Sequence, residues 1–258
     1  MLITLICLGL LALWMKSKWP SLRSTFHMAV SGLLIHGFYL GGVFYAIAGD
    51  MPAGLVSLIV GLQPLVTAFA AIIILKERIA AYQWLGLLMG LVGVGLVLFE
   101  KLGGAGQLPE FSFLTLGWAV IALIGISFGT VYQKRFGNGI SLIPGTFIQY
   151  CAATVLFAFG AFLFESQKVD WSIQLILAMG WLVLGLSIGA ILLLMRLINR
   201  GAASEVASLF YLVPPVTALE AYVLFNEKFE FLALCGGVIS VMGVALVLVT
   251  KQNKSKLS

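Results

Sequence analysis

The chain has 258 residues, of which 61% are hydrophobic and only 10% are charged, against about 25% charged residues in soluble domains. A water-soluble fold needs a substantial polar surface and cannot hide so much apolar side chain. The composition therefore excludes a soluble domain and predicts an all-α polytopic membrane protein in contact with the lipid bilayer. The net charge of +5 comes from basic residues dispersed over short connectors, which does not favour nucleic-acid binding.

Apolar windows of about 20 residues, the length of a membrane-spanning helix, recur along the whole chain. The first window, residues 2–15, is shorter and resembles the tail of a longer span. Eight full spans are predicted at residues 25–48, 53–75, 82–99, 113–133, 142–164, 172–195, 204–225 and 231–249. The connectors are short and carry Gly, Pro and Asn, which are typical of turns between hairpinned helices.

Most basic residues fall on one side of the membrane when successive connectors are assigned to alternate sides. Twelve of the fifteen Lys and Arg residues fall on one side, and only Lys101, Lys168 and Lys228 fall on the other. The positive-inside rule places the richer side in the cytoplasm. The sequence thus predicts a multi-pass protein of a bacterial-type inner membrane, with a cytoplasmic C-terminal tail at 251–258.

No pattern in the sequence favours an enzyme or a metal site. Cys7, Cys151 and Cys235 lie inside apolar runs without metal-ligand spacing and are interpreted as small buried hydrophobic residues. Two GxSxG matches, at 125–129 and 185–189, lie in continuous apolar segments that lack the strand-turn-helix context of a nucleophile elbow. Phosphate-binding and HExxH motifs do not occur in the sequence. We predict no catalytic residue, no cofactor and no metal.

An internal repeat organises the chain. Residues 53–98 align without gaps with 203–248, with 15 identities in 46 positions. Five helices separate equivalent spans, so the two copies have opposite orientations, as in the inverted repeats of secondary transporters. The predicted domains are a first copy at 1–100, a non-cytoplasmic linker at 101–112 and a second copy at 113–250.

The register of the repeat also predicts how many helices the protein has. The second copy begins near residue 113, which is equivalent to a position before the start of the first copy. The first copy therefore lacks its first helix and the start of its second. We expect ten helices, of which nine lie in this sequence; the alternative is a genuine nine-span protein.

Two proline-centred segments carry a resemblance to a known family. They are residues 53–78 (AGLVSLIVGLQPLVTAFAAIIILKER) and 203–228 (ASEVASLFYLVPPVTALEAYVLFNEK), each followed by a Gly-rich span ending in VGVGLVLF or MGVALVLV. The chain resembles the drug/metabolite transporter superfamily in its EamA-like branch. The resemblance implies ten helices, cytoplasmic termini, a central cavity and transport of small organic molecules such as amino acids. We predict an exporter or exchanger that works by alternating access; the alternative is a non-transporting membrane subunit.

Three prolines are predicted hinges. Pro64, Pro214 and Pro215 lie within spans, where proline removes a helical hydrogen bond and frees a carbonyl group. Free backbone polar groups persist at membrane depth only beside protein or a water-lined cavity. These prolines are therefore interpreted as hinges in the wall of a site, or as packing kinks.

Glu220 is the most specific single candidate for substrate binding or translocation. It lies inside its span on the same helical face as Thr217, where a carboxylate costs about 2.5–3.5 kcal/mol by insertion scales. Such a group binds a substrate amine or takes up a coupling proton; the alternative is a structural pair or a side chain that reaches the interface.

Other polar residues lie at comparable depth. The candidates for hydrogen bonds to substrate are His36, Tyr39, Gln63, Gln149, Tyr150 and Tyr211. Each of them could instead join two helices. Glu77 and Glu227 are predicted to cap the helix that follows each of them. GxxxG spacings permit close helix contact, either within the chain or in a homodimer.

Overall fold

The computed structural model describes residues 1–101, 112–164, 171–213, 215, 216, 219 and 231–248. This part of the chain is helical and contains no strand, as expected where lipid offers the backbone no hydrogen-bond partner. We number its helices α1 (Leu2–Trp14), α2 (Leu22–Ala48), α3 (Ala53–Leu75), α4 (Ala81–Lys101), α5 (Phe113–Phe136), α6 (Leu142–Phe164), α7 (Ile173–Arg200), α8 (Ala203–Ser208) and α9 (Phe231–Leu248).

Seven helices of the described residues, α2 to α7 and α9, are long and apolar enough to cross a membrane. The prediction of an all-α polytopic membrane protein is confirmed. One predicted span differs: after α8 the chain forms a tight 3₁₀ turn at Leu209–Leu212, and most of residues 213–225 lie outside the described residues. Several helices extend beyond the predicted limits, as α5 does to Phe136 and α7 does to Arg200.

Three of the spans are not regular α-helices throughout. In α2 the turns widen to a π-helix at Leu33–Phe38, where the Tyr39 N–H donates to the Leu34 carbonyl. In α7 a π-helical stretch covers Leu182–Ala190. In α3 the helix ends at Val60 and restarts at Gln63. Local π-helical turns are frequent at functional sites.

The chain forms two compact units, and each combines segments from both sequence copies. The first unit comprises residues 1–41 and 128–201, and the second comprises 42–127 and 202–258. Each predicted domain is one continuous stretch of sequence, whereas each unit is built from two separate stretches. In the first unit, α2 and α1 both pack on α6. A side chain at Gly32 would overlap the Gln149 backbone, so glycine lets α2 approach α6 closely.

In the second unit, α4 and α9 cross at two glycine pairs. A methyl group at Gly86 would lie 2.6 Å from the Gly243 carbonyl oxygen, and one at Gly236 would lie 2.6 Å from that of Gly93. Residue 86 is equivalent to 236 in the repeat and residue 93 to 243, so each contact maps onto the other when the copies exchange. The pairing is antiparallel, because the residue numbers rise along one helix as they fall along the other. These contacts have the local two-fold symmetry that an inverted repeat requires.

Candidate functional site

A buried polar network occupies the interior of the first unit. The Gln133 side-chain oxygen accepts hydrogen bonds from the Ser31 hydroxyl and from the Gln149 amide nitrogen, both at 2.8 Å. The Gln149 oxygen lies 3.3 Å from His36 Nε2. All four side chains are buried. Because buried polar groups are costly unless paired, this network joins α2, α5 and α6 firmly.

His36 belongs to the π-helical part of α2, and one of its two ring nitrogens has no hydrogen-bond partner among the described residues. Its ring packs on Tyr150 with a centroid distance of 4.6 Å, and the Tyr150 hydroxyl donates to the Ser187 carbonyl at 3.2 Å. When Nε2–H donates to Gln149, Nδ1 is a hydrogen-bond acceptor. That atom is buried and has no partner among the described residues. His36 Nδ1 could therefore accept a hydrogen bond from a bound molecule.

A small polar cavity adjoins the network. Its volume is about 10 Å³, roughly the least that admits one water molecule. Gln133, Gln149, Thr146 and Asn199 contribute to its lining. The Thr146 hydroxyl and the Asn199 side-chain oxygen have no hydrogen-bond partner among the described residues. The cavity is large enough for a bridging water and too small for an organic solute.

The second unit presents unpaired polar groups at the break in α3. The second half of α3 starts at Gln63, and Pro64 occupies its first turn, where a missing N–H is tolerated. Both side-chain polar atoms of Gln63 are buried without a hydrogen-bond partner among the described residues, as are the hydroxyls of Thr67 and Tyr211. Gln63 and Thr67 are one helical turn apart and so share a face.

The break in α3 and the 3₁₀ turn after α8 are equivalent in the repeat. Residues 61 and 62 correspond to 211 and 212, so both copies interrupt their helix at the same place. Tyr211 lies over Gly90, where any side chain would overlap its ring. A buried polar group without a partner costs about 1–3 kcal/mol. Tyr211 belongs to the same packed cluster as Ala68, the neighbour of Thr67. Gln63, Thr67 and Tyr211, hereafter the broken-helix site, therefore offer donors and acceptors suited to a polar ligand.

The candidate residues predicted from the sequence are divided between the two units. The structure brings His36, Gln149 and Tyr150 together in the first unit, where Tyr39 is partly buried at the end of the π-helical stretch. It places Gln63, Pro64, Pro215 and Tyr211 in the second unit, with Pro215 beside an apolar cavity of about 340 Å³ formed with α9. The predicted residues Pro214, Thr217 and Glu220 lie outside the described residues.

Three residues of these sites were missed by the sequence interpretation. Ser31 and Gln133 belong to the polar network, and Thr67 belongs to the broken-helix site. Gln133 is the last residue of the predicted span 113–133 and directly precedes Lys134 and Arg135. For Thr67 a signal was present, because it lies four residues after Gln63 and is identical in the other copy as residue 217.

Glu77 caps a helix, although the prediction of which helix was wrong. Its carboxylate accepts a hydrogen bond from the Ala203 N–H at 2.9 Å and another from the Ser204 hydroxyl at 3.0 Å. These groups start α8, 126 residues along the chain. The following helix, α4, is instead capped by Gln83, whose side chain accepts from the Ala80 N–H at 2.9 Å. Glu227 lies outside the described residues.

Glu77→Ala should lower the stability of the purified protein by about 1–3 kcal/mol, because it removes a charged acceptor from two donors. Ser204→Ala removes one of the two hydrogen bonds and should cost less. Thermal unfolding in detergent measures both effects. Equal melting temperatures for Glu77→Ala and the unaltered protein would contradict a capping role.

Helices interrupted at equivalent positions of an inverted repeat, with polar groups at the interruption, define a polytopic membrane transporter. A model of the EamA-like transporter family matches residues 1–99 and 113–249. The chain belongs to the EamA-like transporter family.

Curated relatives agree with this assignment. The uncharacterized inner membrane transporter YedA of Escherichia coli (strain K12) is 31% identical over 238 residues, which cover 91% of this chain and 74% of that protein. The uncharacterized transporter YvbV of Bacillus subtilis (strain 168) is 25% identical over 244 residues, covering 90% and 73%. Both relatives are named as transporters.

A comparison with solved structures supports the fold. A crystal structure superimposes with a TM-score of 0.79 at 21% sequence identity, covering 96% of this chain and 86% of that one. At this identity the likeness extends to the fold alone.

Proposed function

We propose that this transporter moves small organic metabolites such as amino acids across a bacterial inner membrane, as an exporter or exchanger with a cytoplasmic C-terminus. The observation that carries the proposal is the set of buried, unpaired polar groups of Gln63, Thr67 and Tyr211 beside a helix break. In secondary transporters, broken helices hold the substrate near the middle of the membrane.

The chemistry of the broken-helix site suits a small zwitterion. The Gln63 amide offers both a donor and an acceptor, and the hydroxyls of Thr67 and Tyr211 can do either. The second half of α3 presents its N-terminus at Gln63, and the helix dipole there favours a carboxylate. An amino acid would satisfy the amide, the hydroxyls and the helix end at once.

The proposed mechanism is alternating access, in which the helix interruptions act as hinges. The breaks at 61–62 and 209–212 already interrupt the regular helical hydrogen bonding. Pro64 and Pro215 lack the N–H that a continuous helix would use at their positions, and Pro214 is a predicted hinge on the same grounds. Few hydrogen bonds must therefore break when the helix halves change their angle.

Proton coupling is assigned to Glu220 on sequence grounds. A carboxyl group inside a predicted span is rare and costly, which makes Glu220 the candidate for taking up a coupling proton. Glu220→Gln should abolish the pH dependence of transport, since glutamine cannot titrate. Uptake rates measured from pH 5.5 to pH 8 test this prediction. An unchanged pH profile in the variant would remove Glu220 from the coupling mechanism.

Counterflow uptake in proteoliposomes tests the proposed function. Vesicles preloaded with one unlabelled metabolite are diluted into the same labelled metabolite, over a panel of amino acids and other small organic solutes. We expect saturable uptake of at least one solute that depends on the protein. If folded protein gives no saturable uptake across a broad panel, the alternative of a non-transporting membrane subunit is favoured.

A further inference from the structure

The first unit is strongly basic. Its described residues, in 1–41, 128–164 and 171–201, contain seven basic side chains and no Asp or Glu. The seven are Lys16, Lys18, Arg23, Lys134, Arg135, Arg196 and Arg200. The described second unit differs, because there Lys76 and Arg78 flank the carboxylate of Glu77. The two units therefore differ sharply in the balance of their charges.

These basic residues lie at one end of the first unit. They occur where α2 begins and where α5 and α7 end. Three contacts join these ends to each other and to the start of α6: the rings of Trp19 and Phe147 at 5.5 Å, those of His27 and Phe136 at 4.3 Å, and Lys134 Nζ donating to the Asn199 carbonyl at 3.1 Å. We name the seven side chains the basic rim.

The neighbours of the basic rim are typical of the depth of lipid headgroups. Trp14 is 81% exposed and Trp19 is 50% exposed, and both are close in sequence to Lys16 and Lys18. Exposed tryptophans next to basic residues are typical of the membrane–water interface. Arg23, Arg196 and Arg200 are also exposed, and a guanidinium group can hold two phosphate oxygens at once.

We propose that the basic rim is a binding surface for the phosphate headgroups of anionic phospholipids. Charge complementarity selects this partner, because a surface with several cations and no described carboxylate attracts phosphate and gains little from a zwitterionic headgroup. Each basic residue near an anionic lipid surface contributes about 5-fold in affinity. The inference does not depend on which solute the protein transports.

Native mass spectrometry of the detergent-purified protein tests the proposal. The protein is titrated with phosphatidylglycerol and, separately, with phosphatidylcholine of the same acyl chains. We expect phosphatidylglycerol to bind at least about 10-fold more tightly, with an advantage that shrinks as salt screens the charges. The double variant Arg196→Gln/Arg200→Gln should weaken phosphatidylglycerol binding by roughly 25-fold and leave phosphatidylcholine binding unchanged.

The matched control removes two charges from the second unit. Lys76→Gln/Arg78→Gln lowers the net charge equally, but these two residues flank the Glu77 carboxylate and lie outside the basic rim, so the loss of phosphatidylglycerol binding should be well below about 25-fold. Equal affinities for the two lipids, or equal losses in both double variants, would overturn the proposal. So would full competition by inorganic phosphate at the concentration of the lipid, which would indicate a soluble anion. Melting temperatures establish that each variant is folded.

Discussion

Gln63→Leu should remove most of the transport activity and leave the folded protein as stable as before. The two residues have similar volumes, so the buried position stays filled. The side-chain polar atoms of Gln63 have no hydrogen-bond partner among the described residues, and replacing a buried unpaired group with an apolar one is neutral or stabilising. A bound solute, in contrast, loses both a donor and an acceptor.

The expected loss is about 10- to 100-fold in the ratio of maximal uptake rate to KM, the range for hydrogen bonds to a charged or zwitterionic ligand. Counterflow with a solute identified in the panel measures the rate, and thermal unfolding in detergent measures the stability. Unchanged transport in the variant would exclude Gln63 from the substrate site.

Gln133→Leu is the matched control, because it makes the same chemical change in the other unit. Gln133 accepts hydrogen bonds from Ser31 and Gln149. Its loss leaves the Ser31 hydroxyl without its acceptor and the Gln149 amide with only the Met28 sulfur at 3.8 Å. The melting temperature should therefore fall, by the equivalent of about 1–3 kcal/mol for each stranded group. The two variants distinguish a ligand-binding role from a structural one. Gln63→Leu should lower transport without lowering stability, whereas Gln133→Leu should lower stability.

Gly86→Val should disrupt the crossing of α4 and α9 and sharply reduce the yield of folded protein. A side chain at residue 86 would lie 2.6 Å from the Gly243 carbonyl oxygen and 2.9 Å from the Val247 side chain. Neither the backbone carbonyl nor a second helix can move away cheaply in a packed interior. Overpacking of this kind costs about 1–3 kcal/mol and occasionally more.

The control for this prediction lies on the same helix. Gly95→Val introduces the same side chain at a position where nothing lies within 4 Å. It should have little effect on monodisperse yield or on melting temperature, apart from any small gain from removing a flexible glycine. Similar behaviour of the two variants in size-exclusion chromatography would show that the glycine crossing is not needed for folding.

Most spans could be predicted from the sequence, because lipid thickness fixes helix length and a run such as 113–133 is recognisable by its hydropathy alone. The span predicted at 204–225 was the exception, since it is interrupted at Leu209–Leu212. The repeat likewise follows from the sequence, since an ungapped register keeps Pro64 opposite Pro214. Contacts between side chains that are distant in the sequence could not be predicted from it. Nothing local to Glu77 indicates that its carboxylate caps α8, and nothing local to Gln133 indicates a bond to Ser31. Tertiary packing determines those pairings.

The break in α3 shows the same limit at shorter range. Proline at residue 64 predicted a kink in a continuous helix, with a free carbonyl near Val60. The structure instead ends one helix at Val60 and begins another at Gln63. A proline is well suited to a first turn, because its fixed φ matches the helix there and its missing N–H is not needed. Packing around the helix determines whether such a proline kinks a continuous helix or starts a new one.

The reciprocal glycine contacts bear on how such a chain arises. Gly86 meets Gly243 while Gly236 meets Gly93, and each helix carries its two glycines seven residues apart, on one face. A half-length polypeptide with one such glycine pair could make the whole crossing with a second, oppositely inserted molecule of itself. Duplication and fusion of its gene would then join two partners that already matched, and each half could afterwards diverge in the side chains away from the crossing.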